Sequence, residues 1–234
     1  MKELIGIGVG PGDPELMTYK AVNNIKSTDL IFIPIAKSGQ SSIALEIAKK
    51  FITDQEIIPL VFPMITSLEK RNEFMLENID TIKKYLEVYN KGVFLTIGDP
   101  SVYATYMYLV NLLREENVTI KTVPGISSYS AICSKVNLPI ALDQENFCVY
   151  PLRDDKKAIE RVINENDNVV FMKVSRGQKS LYEVLEEKNY LNHCVLASNI
   201  GKSNELITTK IDTLLNKKLS YFTTLIFKKG GIHE

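Results

Sequence analysis

The chain has 234 residues, of which 45% are apolar and 24% charged, and its 28 basic and 28 acidic side chains balance to a formal charge of zero. That composition is ordinary for a folded protein and indicates neither a disordered tail nor a coiled coil, while neutrality removes the bulk electrostatic argument for a nucleic-acid or membrane-surface partner. The three cysteines, Cys133, Cys148 and Cys194, are far apart and odd in number, which argues against a disulfide framework and for a reducing compartment.

Met1-Lys2-Glu3-Leu4-Ile5-Gly6 enters a strand pattern directly, without a basic segment, apolar stretch or cleavage site. No run approaches the ~20 apolar residues that span a bilayer. The expected location is the cytoplasm. At a prior of roughly 150 residues per domain, the length allows one large domain or two small ones.

In chain order, strand-like and helix-like segments alternate. Leu4 to Val9 reads as strand, Pro14 to Ile25 as helix, Leu30 to Ile35 as strand and Ser42 to Phe51 as helix, the pattern of α/β layering. Glu56 to Val61 is another strand. Leu68 to Tyr89 has Phe74, Ile79, Ile82, Tyr85 and Leu86 near helical spacing among charges, which predicts a long surface helix. Val93 to Ile97 and Thr119 to Val123 read as strands around a helix from Val102 to Glu115, and Ser127 to Val136 as a further helix. Phe147 to Tyr150, Val169 to Lys173, Cys194 to Asn199 and Tyr221 to Lys228 are strand-like, with helices from Asp155 to Asn164 and Gly177 to Lys188. Two α/β lobes are therefore expected, 1–124 and 125–234, with the boundary in the Pro- and Gly-bearing stretch between Val123 and Leu142.

Three glycine-proline turns stand at strand-to-helix junctions: Gly8-Val9-Gly10-Pro11-Gly12-Asp13-Pro14, Gly98-Asp99-Pro100-Ser101-Val102-Tyr103, and Val123-Pro124-Gly125-Ile126-Ser127-Ser128. Three such turns in order imply backbone groups converging on a small ligand at the seam of the lobes. The dinucleotide fingerprint fails: Asp13 stands where its third glycine belongs, and Phe32-Ile33-Pro34-Ile35 lacks the ribose-binding acid. The common methyltransferase glycine loop wants an acid just before it, where Leu4 and Ile5 stand. Gly201-Lys202-Ser203 ends like a phosphate loop, but Leu196 occupies the first glycine position. Pro14 suits the first helical position, and Asp13 serves as its N-cap or as a ligand contact. Gly98 allows close approach at a strand's carboxyl end, with Ser101 and Tyr103 expected on the first helical turn.

These turns resemble those of the tetrapyrrole (corrin and porphyrin) methylases, over the whole chain. Ile33-Pro34-Ile35-Ala36-Lys37-Ser38-Gly39, Phe62-Pro63-Met64, the stretch from Gly98 to Tyr106 and Phe171-Met172-Lys173-Val174 resemble the branch that methylates C20 of precorrin-2 or cobalt-factor II in cobalamin synthesis. The resemblance implies the family's two-lobed α/β fold, with a mixed sheet flanked by helices in each lobe and the active site in the cleft between them. It also implies a homodimer that uses S-adenosylmethionine and leaves S-adenosylhomocysteine. The cofactor contacts it implies are Pro11, Gly98, Asp99, Ser101, Tyr103, Ser127, Ser128 and Met172, and further along the chain Ile200, Gly201 and Thr224.

A sulfonium donor needs no metal and no protein nucleophile, only in-line positioning. No residue announces itself as general base; Asp99, Tyr103 and Glu145 are candidates, each equally a turn, core or surface group. Met172 and Phe171 also suit a buried strand, and Tyr103, Tyr106 and Tyr108 either line a flat aromatic-binding surface or pack a helix. His193 precedes a strand and His233 lies near the C-terminus, so no protein metal site is expected. A polycarboxylate acceptor wants cations, and Lys37, Arg153, Lys173 and Arg176 sit at or near strand ends. A methylase of the same fold with another acceptor (another corrin carbon, ribosomal RNA or a translation factor), and a non-catalytic ligand-binding module, remain alternatives.

Overall fold

The computed structural model describes residues 2–63, 65, 67–214 and 218–232. Met1, Met64 of the Phe62-Pro63-Met64 motif and His233 lie outside the described residues. The chain divides into two compact units, Met1–Ser127 and Ser128–Glu234.

In the first unit, five strands, β1 (Lys2–Gly8), β2 (Leu30–Ile35), β3 (Glu56–Val61), β4 (Lys91–Thr96) and β5 (Val118–Val123), form a sheet in the order β3-β2-β4-β1-β5. All four ladders run parallel, and among the described residues of this unit antiparallel geometry is confined to the isolated bridge Gly10–Gly98. Parallel strands require crossovers, and helices α1 (Tyr19–Lys26), α2 (Ile43–Ala48), α3 (Leu68–Tyr89) and α4 (Tyr106–Leu113) fall between them in sequence. Both sheet faces are covered, which explains the unbroken apolar runs of the strands. Ile5, Ile31, Ile33, Val93 and Leu95 pack with Ala21 and Ile25 of α1 and Ala44, Ile47 and Ala48 of α2. Their neighbours Leu4, Leu30, Phe32 and Phe94 point the other way, against Ile79, Ile82 and Leu86 of α3 and Tyr106 and Leu109 of α4.

The second unit holds β6 (Phe147–Pro151), β7 (Asn168–Met172), β8 (Cys194–Ser198), β9 (Leu206–Thr208) and β10 (Thr223–Lys228) in the order β6-β7-β10-β8-β9. This sheet is mixed, as expected: β6 and β7 are parallel, while β10 runs antiparallel to both β7 and β8. Helices α6 (Lys156–Glu165) and α7 (Gln178–Glu187) bury Ile159, Ile163, Leu181 and Leu185 against Phe171, Leu196, Leu225 and Phe227. Helix α5 (Ser128–Lys135) packs on β10.

Several local expectations are corrected. Pro14 opens only a three-residue 3-10 turn, Pro14–Leu16, whose N-cap is Asp13, accepting from Glu15 N–H at 2.8 Å. The α-helix begins at Tyr19, and Thr18 caps it through Ala21 N–H at 3.2 Å. The helix expected from Val102 starts at Tyr106 instead, because Tyr103 takes a left-handed backbone with φ of 50° and cannot continue a helix. Ser101 and Tyr103 thus lie in a turn. Strand β9 went unread because three residues carry too little alternation to register.

Tyr106 ties α4 to the sheet. It is fully buried, its hydroxyl accepts from Gly6 N–H at 3.2 Å and donates to the Lys121 carbonyl at 3.0 Å, and its ring occupies the space a side chain at Gly6 would need. Replacement by phenylalanine strands both backbone groups, so Tyr106→Phe should lower unfolding free energy by about 1–3 kcal/mol, read as a lower urea midpoint at unchanged slope.

Near the start of β6 the Lys228 ammonium, 8% exposed, meets Glu145 at 3.1 Å and the Pro139 carbonyl at 3.0 Å. Asn168 first, then the Leu142 N–H and Lys228, hold the Glu145 carboxyl below its ordinary value. A carboxyl lowered by folding contributes stability that is complete above its unfolded-state pKa and is lost as pH falls through the folded value. Glu145→Gln should therefore reduce thermal stability at neutral pH and flatten its decline in acid, as a melting series from neutral to acid pH will show.

Candidate functional site

In the first unit the three glycine turns follow β1, β4 and β5, which are neighbours in a parallel sheet. All three therefore leave from the same carboxyl-terminal edge, where ligands of α/β sheets are met. The first two are joined by main-chain bonds, Gly98 N–H to the Gly10 carbonyl at 2.7 Å and Gly10 N–H to the Gly98 carbonyl at 3.3 Å. Gly10 and Gly98 have φ of 78° and 68°, a conformation that favours glycine. The third turn presses on both: a side chain at Gly125 would collide with the Gly98 carbonyl, and one at Gly8 would stand 2.5 Å from Gly125 N.

Asp99 fastens this arrangement. One carboxylate oxygen accepts from Gly125 N–H at 3.0 Å; the other accepts from Ser101 N–H at 2.8 Å and from the Ser101 hydroxyl. Pro11 is buried in the loop after β1, and Ser127 is half-buried at the end of the unit. Tyr103 is 49% and Tyr108 66% exposed, whereas Tyr106 belongs to the core. Lys37 lies exposed in the turn after β2, one strand beyond β4 on the same edge of the sheet.

In the second unit, Met172, Thr224 and Ala197 form a row across β7, β10 and β8. The Ser128 hydroxyl, at the start of α5, lies 3.4 Å from the Thr224 hydroxyl. Ile200 and Gly201 occupy the turn leaving β8, with Ile200 buried and Gly201 at φ of 77°. Five residues expected from one resemblance are thus placed at one edge of the second sheet, where β7 and β8 end and β10 begins. The cations Arg153, Lys173 and Arg176 follow β6 and β7 at that edge. The two connections are closely apposed: Leu152 N–H bonds the Met172 carbonyl at 2.9 Å, and a side chain at Gly177 would stand 2.6 Å from the Arg153 carbonyl. Lys173 adopts a left-handed backbone with φ of 58°; burial, then the Arg176 charge, push its ammonium pKa down. Arg153 and Arg176 are exposed.

Other candidates have structural roles. Glu145 is held ionised by Asn168, Leu142 N–H and Lys228, which leaves it poorly suited to take a proton. The His193 ring packs tilted against Tyr190, and its Nδ1 lies 3.1 Å and 3.2 Å from the carbonyls of Lys228 and Lys229. Burial raises the thiol pKa of Cys133, Cys148 and Cys194, all of them unpaired. Among the described residues no group of three or more His, Cys, Asp or Glu side chains is placed to hold a metal ion, and no helix is long and apolar enough to cross a membrane. Sequence reasoning missed Glu205, which accepts from Gly201 N–H at 2.6 Å; it lies in a polar loop with no motif to mark it.

Comparison with known proteins adds an independent line. The family model for tetrapyrrole (corrin/porphyrin) methylases matches residues 3–215. A Methanocaldococcus jannaschii protein named as a probable cobalt-precorrin-2 C(20)-methyltransferase is 32% identical over 98% of this chain and 97% of its own length. The cobalt-precorrin-2 C(20)-methyltransferase of Salmonella typhimurium is 23% identical over 97% and 96%, and the precorrin-2 C(20)-methyltransferase of a Sinorhizobium species 25% identical over 95% and 94%. The fold matches a solved cobalt precorrin-4 methyltransferase with a TM-score of 0.71 at 20% identity, over 97% of this chain and 94% of that one. It also matches uroporphyrin-III-C-methyltransferase of Thermus thermophilus with a TM-score of 0.67 at 18% identity, over 98% and 95%. Glycine turns, sheet topology and full-length likeness coincide, and the chain belongs to the tetrapyrrole (corrin/porphyrin) methylases.

Proposed function

We propose that the chain is an S-adenosylmethionine-dependent methyltransferase acting on C20 of precorrin-2 or of its cobalt-loaded form, in cobalamin synthesis. The observation that carries this reading is the near full-length likeness, at 23–32% identity, to three proteins named for that reaction.

The residues present suit the cofactor. At Gly98 a side chain would make only an ordinary contact, with the Ile126 carbonyl oxygen at 3.9 Å, so a ligand group can lie against the backbone. Hydroxyls at Ser128 and Thr224 and the thioether of Met172 offer small polar and polarisable contacts. We assign donor contacts to Pro11, Gly98, Asp99, Ser101, Tyr103 and Ser127 in the first unit. Those in the second unit are Ser128, Met172, Ile200, Gly201 and Thr224. When bound, the donor's sulfonium supplies an electrophilic methyl group. The ring carbon of the acceptor contributes the electron pair of the new bond and gives up its proton, so the chain's own work is to hold, align and exclude water. Besides its assigned contact, Asp99 fixes the turns through its carboxylate bonds to Gly125 and Ser101. Lys37, Arg153, Lys173 and Arg176 are assigned to the acceptor's carboxylates, the half-buried Lys173 contributing most because its charge is least screened. We further propose a cytoplasmic homodimer, to be checked by sedimentation.

Anaerobic incubation with S-adenosylmethionine and either metal-free precorrin-2 or cobalt-factor II, followed by mass spectrometry, should show a net gain of one CH2 on one ring, with C20 identified by NMR. S-adenosylhomocysteine binding without gain on either ring would refute the C20 assignment in favour of a different acceptor. Asp99→Ala, which frees the Gly125 and Ser101 N–H groups and loosens both turns that carry assigned contacts, should weaken S-adenosylhomocysteine binding about tenfold by calorimetry, roughly 1.4 kcal/mol. The double substitution Lys173→Ala with Arg176→Ala should raise KM for the tetrapyrrole severalfold and remove much of its salt dependence, leaving S-adenosylhomocysteine affinity within about twofold.

A further inference from the structure

Helix α5 is anchored at both ends to the strand edge described above. At its first residue, Ser128 meets Thr224. At its last, the Lys135 ammonium donates to both oxygens of the Glu205 carboxylate, at 2.6 Å and 2.8 Å. The same carboxylate accepts Gly201 N–H at 2.6 Å. A single acidic side chain therefore links the far end of α5 to the turn that carries Ile200 and Gly201.

That turn is also held from the β10 side. Asn199 N–H bonds the Phe222 carbonyl at 3.0 Å, the Ser220 hydroxyl bonds the Asn199 side chain at 2.8 Å, and Ser198 meets Thr223 at 2.7 Å. Asn199 and Gly201 both have positive φ, at 54° and 77°. Two backbone bonds, Lys202 N–H to the Asn199 carbonyl at 3.0 Å and Glu205 N–H to the Lys202 carbonyl at 3.1 Å, curl the segment so that Glu205 turns back on Gly201. Glu205 is only 21% exposed. Burial acts to raise its pKa, but the Lys135 and Gly201 hydrogen bonds and the Lys135 charge prevail, and the carboxyl stays below its ordinary value. An ion pair between exposed side chains contributes little by itself. A carboxylate shared between an ammonium and a backbone N–H differs, because charge-assisted bonds are short and directional.

We propose that Glu205, clamped by Lys135, is a positioning residue that sets the Ile200-Gly201 turn against Ser128 and Thr224 and thereby controls affinity for S-adenosylmethionine. The proposal rests on the donor contacts assigned above. Glu205 does not touch the donor; it acts through the Gly201 peptide.

The test uses the full chain and S-adenosylhomocysteine in calorimetry, with steady-state kinetics alongside. Glu205→Ala should raise the dissociation constant and the KM for S-adenosylmethionine about tenfold, with kcat within about twofold. Glu205→Gln, which keeps an acceptor for Gly201 N–H, should recover most of that loss. Lys135→Met should weaken binding on its own but add little on top of Glu205→Ala, as two members of one linkage should. A Glu205→Ala chain that binds S-adenosylhomocysteine within about twofold of the unsubstituted chain overturns the proposal, as does a fall in kcat at unchanged affinity. Thr224→Val separates this from the reading beneath it. If Thr224→Val weakens binding and Glu205→Ala does not, the positioning role alone fails; if the unsubstituted chain does not bind S-adenosylhomocysteine, both fail.

Discussion

Three parallel strands end side by side in the first unit, and their loops approach closely because no side chain stands at Gly8 or Gly125. Asp99 converts that approach into a fixed arrangement, since its two oxygens satisfy three donors from two different loops. Backbone N–H groups at strand ends must find partners when half-buried, and here one carboxylate supplies them where sheet bonding stops. Other glycines shape the surroundings in the same way: Tyr106 can dock on β1 because Gly6 is bare, and the Gly10–Gly98 bridge can form because both residues adopt positive φ. A sheet edge made this way exposes main-chain groups in a rigid frame, the form of preorganisation that transfer between two bound small molecules requires.

Much of this was legible in the sequence, for definite reasons. Glycine and proline punctuate the chain where strands meet helices, and the parallel strands are apolar on both faces, so Leu4 and Ile5 are both buried though they point to opposite cores. What escaped were features set by tertiary partners. Nothing in the spelling of Tyr103 declares a left-handed backbone, and so the helix after it was begun too early. Asp13 looks like a helix cap and caps only a single turn, because Thr18 lies five residues further on with the same chemistry. Glu205 acquires its partners from residues 70 positions before it and four positions before it, and neither pairing is marked by a local pattern.

Charge shows the same limit of composition as a guide. The net charge of zero discourages any polyanion, yet Arg153, Lys173 and Arg176 collect on the connections after two adjacent strands. Lys173 is held there at an energetic disadvantage to both its backbone and its ammonium group, since φ is positive and burial opposes the charge. Such strain persists only where surrounding structure over-determines it, and the Leu152–Met172 bond and the tight Gly177 approach provide that constraint.

The position of β10 has a consequence for how the molecule is made. It is the last strand in sequence but the middle strand of its sheet, flanked by β7 and β8. During synthesis the parallel pair β6-β7 and the hairpin β8-β9 can each form early, but no strand pairs with both until residues 223–228 emerge. The first unit, whose strands are complete by Val123, faces no such wait. The ribosome thus delivers a finished parallel sheet followed by a split one, whose two halves expose their inner edges until the final insertion, when a chaperone or an unwanted neighbouring chain has its best opportunity to bind.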